Sequence, residues 1–274
     1  MERRSFRAMG TEVELLLDAE PSAESETALA RAEHEFERLE ALLSRFRPDS
    51  ELSALNRLGS IDAGDDLLAV TALALAARDR TGGLFDPTVH NALAAAGYDR
   101  TFDEVAPDGP AAGPRPCGGG IRIDRRRIEL EPGFRLDLGG IAKGWAVDRA
   151  ADLIGAAGPC LVNAGGDLAA RGRSWPVGVE TADDRITLAL EDGAIATSGR
   201  DRRRWQRNRV EVHHLIDPAT GAPALGDFLR VTVVARTAAE AEVRAKAVFL
   251  GAPVEEPAVL VTTDGRTVLA GGLE

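Results

Sequence analysis

The run Leu136-Asp137-Leu138-Gly139-Gly140-Ile141-Ala142-Lys143-Gly144-Trp145 brings a carboxylate, paired glycines and a lysine into one short stretch. Apolar alternation over residues 134–138 predicts a strand, and Ile141, Trp145, Val147, Ala151 and Ile154 predict a helix behind it. Glycines at such a junction let the backbone approach a ligand, and the first amides of a helix have no internal partner. With Lys143 in the first turn, this terminus suits an anion. It is not a Walker loop, which has a different spacing and a hydroxyl after its lysine. Taken alone, the stretch reads first as a packing turn.

The histidines are His34, His90, His213 and His214. His34 falls on the polar face of a helix and is expected in solvent. His90 stands at a helix start, as a surface residue or a ligand contact. His213 and His214 are neighbours in an expected strand over residues 211–216, so their side chains face opposite sides and one can face a cleft. A sheet histidine with a satisfied hydrogen bond is the equal alternative. Glycine- and hydroxyl-rich turns recur at Met9-Gly10-Thr11, Asp86-Pro87-Thr88, Asn163-Ala164-Gly165-Gly166-Asp167, Thr197-Ser198-Gly199 and Asp217-Pro218-Ala219-Thr220-Gly221. Together they suggest loops gathered around one extended ligand.

The elements that must position these residues follow from periodicity. Residues 6–17 read as a strand interrupted at Met9-Gly10-Thr11. Leu29, Ala32, Phe36, Leu39 and Leu43 step by three and four, which predicts a helix from Pro21-Ser22 to about Phe46. A short helix over residues 50–56 is capped by Asp49 or Ser50, and a long one covers residues 65–80, with Gly82 as a left-handed stop. A short helix over 90–96 precedes a surface loop at 103–120, dense in proline, glycine and alanine. Short strands over 159–163, 167–171, 175–180, 186–190 and 193–197 predict an antiparallel meander. A strand over 229–235, a helix over 238–250 and a hairpin across Asp264-Gly265 close the chain. The order lacks regular βα alternation, so the expected fold is α+β: one domain over residues 1–274, with mixed, mostly antiparallel sheets packed with helices.

Composition narrows the function. Across 274 residues, 33 basic against 44 acidic side chains give a charge of −11, which argues against non-specific nucleic-acid binding. Cys117 and Cys160 have neither metal-ligand spacing nor a disulfide framework. No window is apolar enough to span a bilayer, and no signal peptide follows Met1, so the expected location is the cytoplasm, without membrane insertion.

The motifs also form an ordered series. Met9-Gly10-Thr11, Phe46 through Asn56 and Gly83-Leu84-Phe85-Asp86-Pro87-Thr88-Val89 are followed by Asp137 through Gly144. Asn163 through Asp167, Thr197-Ser198-Gly199 and His214 through Gly221 complete it. The series resembles the ApbE-type FAD:protein FMN transferases from about residue 6 to residue 269. The resemblance implies an enzyme that splits FAD, joins FMN through a phosphoester to a threonine of a target protein, often a redox subunit, and releases AMP. It implies that Met9, Phe46, Ala95, Ala96, Gly97 and Tyr98 line the flavin and adenine portions, that Asp137 and Lys143 hold FAD, and that Leu215 touches it. His214 is the expected base for the threonine hydroxyl, with Asp217 as its competitor. Mg²⁺ is the family's usual metal, held by a backbone carbonyl, matched by Gly140, and by an aspartate and a threonine four residues later. This chain has Glu242 and Lys246 at those two positions. A protonated lysine cannot ligate a metal, so either Lys246 supplies the positive charge or the ligand set has changed. A Glu–Lys pair at this spacing is otherwise an exposed ion pair on a helix. Two rival functions stay open: an FAD carrier without transfer, and a hydrolase giving FMN and AMP.

Overall fold

A computed structural model of the chain describes residues 1–273. β1 (Glu2–Ala8) and β2 (Thr11–Leu17) form a hairpin in which Ala8 pairs with Thr11. Met9 and Gly10 between them have φ of 51° and 70°. Positive φ at both central residues is the turn whose twist matches paired strands. α1 (Ala23–Leu43) begins with a capping box, in which the Ser25 amide donates to Ser22 Oγ and the Ser22 amide to Ser25 Oγ. It stops three residues short of Phe46 because Ser44 takes other bonds. Its carbonyl accepts from Ser50 Oγ at 2.6 Å and its hydroxyl accepts the Phe46 amide at 3.3 Å. The released residues Arg45 and Phe46 turn into a cleft.

α2 (Glu51–Leu58) is capped by Ser50, and β3 (Ser60–Asp62) leads to α3 (Asp65–Arg80) with the expected bounds. Gly82 is left-handed behind α3, with φ of 60°. α4 (His90–Ala95) precedes residues 105–120, which carry no regular element but are tied down. Their Pro107 and Gly109 carbonyls accept from Gln206 and Asn208, and the Arg115 amide donates to Gly221. β4 (Ile121–Asp124) and β5 (Arg127–Leu130) make a three-stranded sheet with β3 that has no counterpart in the sequence reading. The strand expected over 134–138 is absent. Leu136 bonds both ways to a side chain instead, its amide to Asn56 Oδ1 at 2.7 Å and its carbonyl to Asn56 Nδ2 at 2.8 Å.

α5 (Ala142–Gly155) follows, then β6 (Cys160–Ala164), β7 (Asp167–Arg171), β8 (Trp175–Glu180), β9 (Arg185–Leu190) and β10 (Ala194–Gly199). The meander is broken, since β8 and β9 pair only with each other while β7 pairs with β10. The expected strand over 211–216 is also divided. β11 (Arg204–Arg207), unforeseen, pairs with β12 (Val210–His213), and β13 (Ile216–Asp217) pairs with β14 (Ala222–Pro223), leaving His214 and Leu215 between strands. β15 (Phe228–Ala235), α6 (Ala238–Phe249), β16 (Ala258–Thr262) and β17 (Thr267–Ala270) complete the chain.

The fold is α+β. An eight-stranded antiparallel sheet runs β1-β2-β6-β7-β10-β15-β16-β17, so strands from both ends of the chain share it. One face carries the helices, with Leu15, Phe36, Leu39, Val147, Ile154 and Val162 in the same buried cluster. The other face is covered by the β8–β9 hairpin, whose Trp175, Val177 and Val179 pack on Leu168, Ile195 and Val259. Their alternating burial is the period-two pattern that fixes register. α5 lies against α1 and α6. Gly144 makes that approach possible, because a Cβ there would sit 2.6 Å from the Ala238 backbone. Asp148 of α5 accepts the Ala238 and Ala239 amides at 2.7 and 3.0 Å and so caps α6. No described helix is long and apolar enough to cross a membrane.

Candidate active site

A cleft of about 570 Å³ opens where the β1–β2 turn, the end of α1, residues 84–89, the start of α5, Arg203, residues 214–218 and the end of α6 converge. The volume suits a sizeable organic ligand. Its walls divide into an aromatic half and a cationic half.

In the aromatic half, Phe46 and Tyr98 lie 5.5 Å apart between centroids, and Tyr98 is 5.7 Å from Trp205. Arg45 anchors them. Its guanidinium sits 4.2 Å over Phe46 and 4.8 Å over Tyr98, donates to the Tyr98 carbonyl at 2.7 Å, and pairs with Asp137 at 2.5 Å. Both charged side chains are only 6% exposed, so the pair is locked in low dielectric. Asp137 also accepts the Gly139 amide at 2.7 Å, and its own amide donates to the Pro87 carbonyl. Met9 closes this half from a left-handed conformation that a side chain rarely adopts.

In the cationic half, Lys143, Lys246, Arg203 and His214 all line the cleft. Lys143 Nζ is in ion-pair contact with buried Asp167 and lies 3.9 Å from Glu242 Oε1. Lys246 Nζ reaches the same oxygen at 3.1 Å, and Glu242 Oε2 accepts the Gly144 amide at 3.0 Å. The pair is therefore not the exposed ion pair that its spacing suggested: Glu242 is 3% exposed. Burial alone would raise its pKa, but the two ammonium groups, together with the hydrogen bonds from the Gly144 amide and Lys246, hold it lowered. Burial pushes Lys143 down to about 8 against the pull of Glu242, with Lys246 and Arg203 adding to the drop. Burial, then the charges of Arg203 and Lys246, hold His214 well below the usual histidine range. Its Nδ1 is buried without a hydrogen-bond partner.

The neighbouring histidine is structural. His213 Nε2 meets the Ala224 carbonyl at 3.0 Å and its Nδ1 accepts the Leu215 amide at 3.2 Å. His34 is in solvent, as expected, and His90 is half-buried.

Of the residues singled out in the sequence, Met9, Phe46, Tyr98, Asp137, Gly140, Lys143, His214, Leu215 and Lys246 line the cleft. Ala95, Ala96 and Gly97 do not. The Ala96 carbonyl accepts from Trp205 Nε1 at 2.7 Å, and Arg207 fills the space beside Gly97 while donating to its carbonyl. Asp217 also lies off the cleft wall, its carboxylate accepting the Ala219 amide of its own turn at 2.9 Å. Glu242 sits behind the two lysines. Three contributors escaped the sequence reading: Arg45, Arg203 and Asp167 as the partner of Lys143. Arg203 belongs to an arginine-rich run, Arg200-Asp201-Arg202-Arg203-Arg204, which was a visible signal. Arg45 and the pairing of Asp167 depend on tertiary placement.

The metal expectation does not fit these residues. Among the described residues no group of three or more His, Cys, Asp or Glu is gathered to hold a metal ion. Magnesium requires several oxygen ligands in near-octahedral array. Here both oxygens of Glu242 are occupied, and the Lys246 stem crosses Gly140, with its Cε 3.0 Å from where a Cβ would stand.

The chain is similar to known proteins along most of its length. A protein of Treponema pallidum named FAD:protein FMN transferase is 30% identical, aligned over 84% of this chain and 73% of its own. A Vibrio cholerae protein of the same name is 29% identical, over 85% and 76% respectively. In three dimensions the ApbE protein of Thermotoga maritima matches with a TM-score of 0.87 at 24% identity, covering 98% of this chain and 96% of that one. Residues 9–269 match the model of the ApbE family, and the chain belongs to that family.

Proposed function

We propose that this protein is an FAD:protein FMN transferase, acting on a threonine of a target protein, a redox subunit by the family resemblance. The relatives' shared name supports the reaction class. The observation that carries the reading is the division of one cleft into an aromatic half suited to ring systems and a cationic half suited to a pyrophosphate, with His214 on the same wall as Arg203 and Lys246. In this reading the flavin and adenine rings stack in the aromatic half against Phe46, Tyr98 and Met9. Asp137 keeps Arg45 and the Gly139 amide in place. Lys143, Lys246 and Arg203 neutralise the pyrophosphate and the charge that develops on it. His214, neutral because burial disfavours its cation, accepts the threonine proton. The threonine oxygen forms a bond to the FMN phosphorus, the bridging P–O bond breaks, and AMP leaves. Asp217 is the weaker candidate for the base, since its carboxylate is engaged in its own turn. Residues 1–274 act as one unit, a reading supported by the sheet shared between both ends of the chain.

Chromatography of FAD incubated with the protein, with and without an acceptor domain bearing the threonine, tests this. The expected result is FAD consumption and AMP release that require the acceptor. FMN and AMP appearing without acceptor would instead mark a hydrolase. FAD bound and unchanged, with several acceptors tried, would mark a carrier.

A further inference from the structure

We propose that Lys246 replaces a divalent cation at the pyrophosphate end of the cleft, so that this chain binds FAD without magnesium. The inference rests on the FMN-transferase reading for the identity of its ligand. Three observations carry it. Lys246 lines the cleft, while Glu242 and Asp167, the carboxylates that hold the lysines, are buried. Glu242 has no free oxygen, since Oε1 meets Lys246 at 3.1 Å and Oε2 accepts the Gly144 amide at 3.0 Å. The Lys246 stem passes over Gly140, so the approach to that loop is occupied by methylenes. A dication placed against Glu242 would have to displace an ammonium and meet its repulsion. Without the dication, Lys246 and Lys143 present two ammonium groups on a shared, rigid carboxylate, and each can donate to a phosphate oxygen as a point charge.

The test is titration of FAD fluorescence with wild type, Lys246→Met and Lys246→Arg, each in chelator and in excess Mg²⁺. Mn²⁺ binding to wild type is followed by electron paramagnetic resonance, and circular dichroism checks folding. Wild type should bind FAD with equal affinity in both media and leave Mn²⁺ free. Lys246→Met should bind about tenfold or more weakly in both media, the worth of one charged hydrogen bond, and Lys246→Arg should recover most of that loss. Tighter wild-type binding in Mg²⁺, bound Mn²⁺ removable by chelator, or undiminished affinity of Lys246→Met would overturn the assignment. AMP release in the presence of an acceptor is measured on the same wild-type samples. Its absence alongside the expected titrations would sink the transferase reading and leave Lys246 as the cation of an FAD site.

Discussion

His214 lines the cleft beside the charges of Arg203 and Lys246, and its proton economy follows from that position. Burial and those two charges keep the imidazole neutral well below its ordinary 6.5. Bound pyrophosphate brings opposing negative charge, which favours the imidazolium and raises the pKa in the complex. The acid limb of kcat/KM, which reports free enzyme, should therefore lie below that of kcat, which reports the complex. The kcat/KM profile should be flat from the ordinary histidine pKa up to neutrality. His214→Asn should lower kcat by roughly 10²–10⁴ and remove the limb, with FAD affinity retained. An acid limb that survives in this variant would exclude His214 as the base. Asp137 stands for a different kind of residue, a positioning one. Asp137→Ala leaves the Arg45 guanidinium buried and unpaired, which costs about 3–5 kcal/mol in a urea denaturation series. It should also loosen Phe46 and Tyr98, which Arg45 covers. A loss within the range of ordinary surface substitutions would mean that the pair is solvated.

At the scale of elements, the site depends on how closely α5 and α6 approach. Lys143 comes from one helix and Lys246 and Glu242 from the other, and Gly144 is the contact between them. Gly144→Ala drives a methyl into the Ala238 backbone and should destabilise the fold by about 1–3 kcal/mol. The helices must separate, so the variant should also bind FAD more weakly, as a fluorescence titration would read. Wild-type stability and affinity together would show that the spacing is slack. The helices were legible because their signals are local: α1 has its apolar stripe, and α3, rich in leucine and alanine and followed by glycines, has its predicted bounds, while α1 and α6 differ at their ends. The ends were less so, since Ser44 stops α1 through bonds that any serine could make elsewhere. Residues 134–138 show why alternation is insufficient. Leu136 there bonds to the Asn56 side chain rather than to a strand.

At the scale of the whole molecule, no local signal says that β7 passes over β8 and β9 to pair with β10, or that β1 and β17 edge one sheet. Such pairings join residues far apart in sequence, so periodicity is blind to them. The cleft was partly legible for the complementary reason. Its glycine-rich turns carry their conformational demands in the residues themselves, as Gly10 does beside Met9. Arg45 needed the fold to acquire meaning, because its role is set by Asp137, more than ninety positions away (137 − 45 = 92). In the proposed function these parts together move FMN from FAD to a protein threonine. Its most direct test is the intact mass of an acceptor domain after incubation with FAD and this protein, beside the same domain with its threonine replaced by alanine. The threonine form should gain one FMN, with one AMP released for each, and the alanine form nothing. Equal masses for both acceptors, with FAD recovered whole, would contradict it.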